Sequence, residues 1–168
     1  PRAVCQRITN HSITQSLDFF AIRPFFPLES HLESPMPDSS PKPKIAIGAD
    51  HAGFHVKELI KKFLAAQGYE VDDVGTASEE SVDYPDFARQ VAERVAAGRA
   101  QLGILTCGTG IGMSITANKV PGVRAALAHD IMTAHLAREH NDANVLTLGA
   151  RVVPDEQAIA IVREFLHT

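Results

Sequence analysis

The chain has 168 residues, a formal net charge of -4 and an apolar fraction of 45%, which together are typical of a globular protein in water. This length suits one folded domain with its own hydrophobic core rather than two large domains. Neither the net charge nor any run of Lys and Arg provides the basic surface that nucleic acid requires. No run of eighteen apolar residues is present to cross a membrane. We therefore expect neither a nucleic-acid partner nor a membrane partner.

The chain contains two cysteines, Cys5 and Cys107. Two cysteines cannot form the disulfide framework on which small secreted domains depend. We therefore expect a reducing compartment, the cytoplasm, in which a thiol stays free for chemistry.

The first 43 residues differ in composition from the rest of the chain, because they contain seven of its ten prolines and none of its eleven glycines. We interpret residues 1–43 as a proline-rich extension, disordered or not native, and residues 44–168 as the folded domain. Met36 opens the segment that leads into the regular pattern, so we expect the residues before it to lie upstream of the natural start. Acidic residues within the extension argue against a secretory or organelle-targeting segment.

From Lys44 onward, short β-branched runs alternate with segments of helical period, as expected for parallel strands joined by crossover helices. The predicted strands are, in chain order, KIAIGA, YEVDDVG, LGILTC, VRAALA and NVLTLG. Five helices are predicted. The first starts at Val56 and ends at Gly68, the second starts at Pro85 and ends at Gly98, and the third starts near Ile111. The fourth runs from about Asp130 to Glu139, and the fifth starts at Pro154. We predict a Rossmann-like, doubly wound, five-stranded parallel sheet with helices on both faces.

Polar and reactive residues follow three of the predicted strands. Asp50 and His51 follow the first strand, residues 107–112 follow the third, and Arg151 follows the fifth. Because ligands of doubly wound sheets bind beyond the carboxyl ends of the strands, we expect the functional site at this edge.

The segment CGTGIGMS places Gly108, Gly110 and Gly112 between a strand and a helix. Backbone N–H groups at such a junction are typical of an anion-binding loop. A tight turn that needs positive φ would explain one glycine, but three at alternate positions favour close approach of the backbone to a ligand. Their spacing differs from a dinucleotide fingerprint, and no Lys-Ser/Thr pair follows to make a P-loop.

Three residues near this edge have structural as well as chemical explanations. Cys107 could be a small buried apolar residue, but its position at the carboxyl end of a strand favours a reactive thiol that acts as a base or a nucleophile. Asp50 could cap the following helix, with His51 merely beside it.

His140, Asn141 and Asp142 come just before the last predicted strand. A polar helix end would explain them equally well, since a histidine is favourable near the carboxyl end of a helix. His135 and His140 are five residues apart, whereas the zinc-binding HExxH helix needs a spacing of four. We therefore expect no metal site here.

Taken together and in order, several segments resemble the type B ribose-5-phosphate isomerase family, which includes relatives that act on galactose 6-phosphate and allose 6-phosphate. The resemblance runs from about residue 44 to residue 166. The segments that carry it are GADHAGF, DYPDFA, CGTGIGMSITANK, GVRAAL and REHNDANVLTLGARVV.

This resemblance implies a metal-independent and cofactor-free isomerase that interconverts D-ribose 5-phosphate and D-ribulose 5-phosphate through an enediolate, in the pentose phosphate pathway. It also implies a homodimer or homotetramer with the site between two subunits. The alternatives are an isomerase of a six-carbon sugar phosphate, a sugar-phosphate-binding module without activity, and an enzyme with a thiol nucleophile.

The resemblance also implies roles for individual residues. Cys107 would be the base that moves a proton between C2 and C1, His140 would open the furanose ring, and Thr109 and Asp50 would assist catalysis. The residues implied to bind the substrate are His51, Tyr84, Gly108, Gly110, Ile111, Gly112, Asn141 and Arg151.

Phosphate binding is less clearly assigned. Members of the family commonly continue past the last helix into a basic tail that helps to bind phosphate, whereas this sequence ends at Thr168. We expect Arg151, His51 or Arg124 to hold the phosphate, or the substrate to be a different sugar phosphate. For Arg124, a surface charge before the fourth strand is an equally good explanation.

Overall fold

Residues 42–168, which the computed structural model describes, form a strictly alternating series of five strands and five helices. The elements are β1 (Ile45–Ala49), α1 (Phe54–Ala66), β2 (Val71–Asp73), α2 (Tyr84–Ala96), β3 (Leu102–Cys107), α3 (Ile111–Ala117), β4 (Ala125–Leu127), α4 (Ile131–Glu139), β5 (Val145–Gly149) and α5 (Asp155–His167).

The five strands form one sheet in the order β2-β1-β3-β5-β4, and every neighbouring pair is parallel. Helices α1, α4 and α5 pack together on one face, and α2 packs against α3 on the other. The predicted doubly wound parallel sheet is therefore confirmed. The order of strands reverses direction between β1 and β3, which is where ligands bind in folds of this kind.

The three central strands are buried on both faces, as expected for a parallel sheet covered by helices. Along β3, Ile104 joins the core beneath α1, α4 and α5, whereas Leu105 and Cys107 join the core beneath α2 and α3. This alternation delivers the Cys107 side chain to the α3 side of the sheet, at the carboxyl end of its strand.

Most predicted helix boundaries agree with the structure. Gly68 (φ 77°) and Gly98 (φ 67°) follow α1 and α2, in the left-handed conformation that ends a helix at little cost for glycine. Pro154 precedes α5 in extended conformation instead of lying inside it. The helix pattern of α1 also missed Lys57, which is buried.

The strands predicted at YEVDDVG and VRAALA are too long: in the structure, the corresponding strands β2 and β4 have three residues each. Both are edge strands, so each pairs with a single neighbouring strand and ends where that pairing ends. The predicted extension upstream of the domain lies outside the described residues. Between residues 42 and 168, no helix combines the length and the apolar character that crossing a membrane would require.

Candidate active site

The ends of β1 and β3 are tied together by Thr106, which is fully buried. Its backbone carbonyl accepts a hydrogen bond from the Asp50 N–H at 3.3 Å, and its hydroxyl donates to the Gly53 carbonyl at 3.0 Å. A Cβ atom built on Gly53 would lie 2.3 Å from the Thr106 carbonyl oxygen, so this close approach requires glycine. The turn that carries Asp50 and His51 is therefore held directly beside Cys107.

Cys107 is the last residue of β3 and is 5% exposed. Its Sγ accepts a hydrogen bond from the Gly110 N–H at 3.1 Å. The thiol is thus buried, with a backbone N–H aimed at its sulfur. Gly110 reaches this position with φ of 78°, a conformation that favours glycine.

The other two glycines of the loop allow side chains to approach its backbone. A Cβ atom on Gly112 would lie 2.6 Å from Cε2 of Tyr84, the first residue of α2. A Cβ atom on Gly108 would lie 3.6 Å from the guanidinium of Arg151. The loop is therefore lined by an aromatic ring on one side and a cation on the other.

Arg151 reaches the loop because pairing between β3 and β5 continues past both strands. The Ala150 N–H donates to the Cys107 carbonyl at 2.8 Å, and the Arg151 N–H donates to the Gly108 carbonyl at 3.0 Å. Arg151 is exposed, so its cationic side chain is available to a phosphate group.

Asp50 and His51 have defined partners. The Asp50 carboxylate accepts a hydrogen bond from the Gly53 N–H at 2.9 Å, so it stabilises the turn before α1. Nδ1 of His51 lies 3.3 Å from the Val82 N–H, which donates to it. A neutral His51 ring therefore carries its proton on Nε2, where it can donate to a ligand.

Thr109 and Ile111 lie on the exposed side of the loop. The Thr109 hydroxyl oxygen lies 3.4 Å from the Ile111 N–H and accepts from it. Gly112 and Met113 follow within the first turn of α3, where N–H groups lack partners inside the helix, since the first intrahelical bond runs from Ser114 to Gly110. This end of α3 thus offers hydrogen-bond donors to an anionic ligand.

His140 and Asn141 lie at the opposite edge of the sheet. They precede β5, whose first residue pairs with Gly103 while its last residue pairs with Cys107. Four residues of parallel strand span about 13 Å, so these two edges are separated by at least that distance within one chain. The structure brings together the predicted residues that follow β1 and β3, together with Tyr84 and Arg151, but not His140 and Asn141.

The turn that carries His140 and Asn141 is braced. Asp142 has φ of 45°, and its carboxylate accepts a hydrogen bond from Arg124 at 2.7 Å. Arg124 thus lies at the end of the sheet remote from Cys107, where its positive charge stabilises this turn. A depression of 340 Å³ lies beside it, lined by Asn118, Arg124, Ala125, Ala126, Asn141 and Ala143.

Sequence reasoning missed several contributors to the site. The Val82 N–H contacts Nδ1 of His51 through the backbone, which no residue type signals. Gly149 lets β5 approach the loop, since a Cβ atom there would lie 2.7 Å from the Thr109 carbonyl oxygen. Within residues 42–168, no group of three or more His, Cys, Asp or Glu side chains is arranged to hold a metal ion.

Comparisons with known proteins identify the family of this chain. The sequence profile of the family described as Ribose/Galactose Isomerase matches residues 45–168. Ribose-5-phosphate isomerase B of Escherichia coli (strain K12) is 51% identical over 123 residues, which cover 73% of this chain and 83% of that protein.

Solved structures are similar over the same region. Ribose-5-phosphate isomerase B of Clostridium thermocellum superposes with a TM-score of 0.73 at 54% identity, covering 73% of this chain and 83% of its own. The enzyme of Mycoplasma genitalium with bound ribulose-5-phosphate has a TM-score of 0.71 at 46% identity, covering 73% and 82%. With the profile matching most of the chain and relatives about half identical to it, this protein belongs to the ribose/galactose isomerase family.

Proposed function

We propose that this protein interconverts D-ribose 5-phosphate and D-ribulose 5-phosphate through an enediolate. The observation that carries the proposal is the pairing of the Cys107 thiol with the Gly110 N–H at the edge of a sheet whose relatives are ribose-5-phosphate isomerases. A base and hydrogen-bond donors in one turn are what proton transfer beside a carbonyl requires. The reducing cytoplasm suits a site that depends on a free thiol.

The proposed site is completed by a second copy of the chain, because His140 lies about 13 Å or more from the thiol in its own chain. Helix α3 begins at the Cys107 loop and ends at Ala117, and the next residue, Asn118, lines the same depression as Asn141. Its outer face exposes Ile111 (51%) and Ile115 (56%), a pair one helical turn apart. An exposed apolar pair of this kind suits contact with another protein surface.

In a two-fold dimer, each subunit uses the same surface. If two α3 helices pack antiparallel through Ile111 and Ile115, the Asn118 end of one helix lies against the Gly110 end of the other. His140 and Asn141 of the partner then approach the thiol, so each dimer contains two composite sites.

In the proposed mechanism, His140 of the partner subunit exchanges a proton with the ring oxygen and opens the furanose. The Cys107 thiolate then removes the proton from C2, and the electron pair forms the enediolate while O1 becomes negatively charged. O1 takes up a proton as the O2 hydroxyl gives one up, the same thiol returns the proton to C1, and O2 becomes the new carbonyl oxygen. Since the hydrogen moves within one molecule, the reaction has no net oxidation.

The negative charge that develops on the sugar oxygens is stabilised by the N–H groups of Gly112 and Met113 in the first turn of α3 and by the Thr109 hydroxyl. One preorganised donor of this kind is worth about 3 kcal/mol in the transition state. His51 Nε2–H and Asp50 orient the sugar hydroxyls, and the Tyr84 ring covers them. Arg151 binds the phosphate, with Asn141 of the partner closing the other side.

Incubation of the protein with ribose 5-phosphate in deuterium oxide tests this proposal. We expect NMR to show ribulose 5-phosphate with deuterium at C1, because the thiol exchanges its proton with solvent before returning it. In the Cys107→Ala variant, conversion and deuterium incorporation fall by at least about 10²-fold, the contribution of a general base.

Other outcomes decide against parts of the proposal. Conversion of allose or galactose 6-phosphate without conversion of ribose 5-phosphate would contradict the proposed substrate but leave the proposed mechanism intact. A covalent sugar adduct on Cys107, seen by mass spectrometry, would indicate a nucleophile instead of a base. Binding of ribose 5-phosphate without turnover would identify a binding module.

A further inference from the structure

Lys57 is a charged side chain that is almost fully buried, with 2% of it exposed. It lies in α1, and the mechanism above does not use it. Its ammonium donates to both carboxylate oxygens of Asp73, at 3.1 and 2.9 Å, and to the backbone carbonyl of Thr76 at 2.8 Å. A buried ammonium is tolerated only when such partners compensate for lost hydration.

The charges around Lys57 balance. Lys61 also contacts Asp73, and both lysines contact Glu58, at 3.1 Å from Lys57 and 3.0 Å from Lys61. Burial would raise the pKa of Asp73, but hydrogen bonds from Lys61, Lys57 and the Gly75 N–H outweigh it and lower this pKa below its ordinary value. Asp73 is therefore ionised at neutral pH. The contact with the Thr76 carbonyl distinguishes Lys57 from Lys61.

Thr76 is held by several hydrogen bonds near the start of the loop that connects β2 with α2. Its N–H donates to the Ala49 carbonyl at 3.0 Å, and its carbonyl accepts from Lys57. Its hydroxyl bonds to the backbone of Ser78, donating to the carbonyl at 3.1 Å and accepting from the N–H at 3.3 Å. The start of this loop is thus locked to the end of β1.

The far end of the same loop delivers two proposed substrate contacts. Val82 donates its N–H to Nδ1 of His51, and Tyr84 begins α2 with its ring against Gly112. Only five residues lie between Thr76 and Val82, so a shift of the locked end is expected to move both contacts.

We propose that Lys57 is a positioning residue, which anchors the loop of residues 76–82 and thereby sets the tautomer of His51 and the place of Tyr84. This inference rests on the proposed function for its catalytic meaning. The effect on the His51 ring can be measured without turnover, so the inference and the proposed function can fail separately.

The test compares Lys57→Met with Lys61→Met, which removes an ammonium from the same ion-pair cluster but leaves the Thr76 contact intact. Nitrogen-15 NMR of the imidazole rings reports the tautomer, with the His51 signals identified by their loss in His51→Gln. We expect a single Nε2–H tautomer in the unchanged protein and in Lys61→Met. In Lys57→Met we expect a mixture of tautomers and a KM for ribose 5-phosphate raised about tenfold, the effect of one lost hydrogen bond, with a smaller change in kcat.

A second variant keeps the test decisive if Lys57→Met does not fold. Thr76→Val removes the hydroxyl bonds to Ser78 without exposing a buried charge, and we expect the same tautomer mixture in it. A single tautomer and an unchanged KM in folded Lys57→Met, or in Thr76→Val, would overturn the inference. So would equal effects of Lys57→Met and Lys61→Met. A tautomer change in a protein that never converts ribose 5-phosphate would keep the loop anchor and reject the proposed function.

Discussion

Gly110 meets two separate demands in the loop that follows β3. Its backbone has φ of 78°, which disfavours any residue with a Cβ atom. A Cβ atom there would also lie 2.5 Å from Leu127 and 2.9 Å from the backbone of Leu148. Gly122 has a similar φ of 87°, but a Cβ atom built on it has no neighbour within 4 Å. Comparing the two glycines therefore distinguishes the cost of the left-handed conformation, which both share, from the cost of crowding, which only Gly110 has.

We predict that Gly110→Ala is clearly more destabilising than Gly122→Ala. The Gly122 variant should lose about 1–2 kcal/mol of the free energy of unfolding, from the left-handed conformation alone. The Gly110 variant should lose about 1–3 kcal/mol more from overpacking, and it should lose activity because its N–H moves away from Cys107. Urea unfolding and initial rates measure both effects. Equal stability losses would show that the neighbours of Gly110 yield without cost.

At this scale the sequence predicted which residues matter better than it predicted their conformations. Three alternating glycines indicated close approach of the backbone to a ligand, which stays a prediction; in the structure, protein atoms crowd Gly110 and Gly112, whereas Gly108 has only ordinary contacts. Their pattern did not reveal that Gly110 alone among the three needs positive φ. Burial of Lys57 was also unpredictable, because its partners, Asp73 and the Thr76 carbonyl, are distant in sequence and meet it only in the folded sheet.

Strand β4 shows how an element of three residues is kept at the edge of the sheet. The side-chain amide of Asn118 accepts a hydrogen bond from the Ala125 N–H at 2.8 Å and donates to the Ala125 carbonyl at 2.8 Å. It thus pairs with both backbone groups of one strand residue, as a neighbouring strand would. The end of α3 is thereby attached to the start of β4.

We predict that Asn118→Leu lowers the free energy of unfolding by about 1–3 kcal/mol, because two backbone groups lose their partner. Lys119→Leu is the matched control, since it places the same side chain at the next exposed position. Chemical denaturation of both variants measures the difference. If the two variants are equally stable, water replaces the Asn118 amide without cost and the edge strand does not depend on it.

Helices were easier to predict than edge strands. Apolar periodicity and the glycines at positions 68 and 98 located α1 and α2 because these signals are local. The ends of β2 and β4 depend on which strand lies beside them, and that is decided by the packing of the whole sheet. Strand order is absent from a single sequence for the same reason.

The proposed pairing of two chains makes a prediction for the whole molecule. In a mixture of Cys107→Ala and His140→Ala subunits, each mixed dimer has one site with both residues intact and one site with neither. Random reassortment of equal amounts should restore about a quarter of the original activity, since half of the dimers are mixed and half of their sites work.

Unfolding and refolding the two inactive variants together, followed by rate measurement, performs this test. Each variant refolded alone is the control. An inactive mixture would indicate that the thiol and the histidine of one site belong to the same chain, or that the two residues act independently.

Alternation of strands and helices predicted the parallel sheet and the edge at which residues following β1, β3 and β5 meet. The place of His140 could have been read from the same rule, because a residue before a parallel strand lies at the other edge. Only the resemblance to a known family implied that a second subunit closes this gap, since the sequence of one chain carries no direct record of its neighbours.

The separation between His140 and Cys107 also ties the proposed activity to protein concentration. With the proposed pairing of two chains, a single chain would hold two halves of different sites and no whole one, so catalysis would follow the mass-action equilibrium between monomer and dimer. Dilution would therefore reduce the rate per chain before it causes the chain to unfold. Newly made chains would remain inert until they meet, and the reactive enediolate would form only in a space enclosed from both sides.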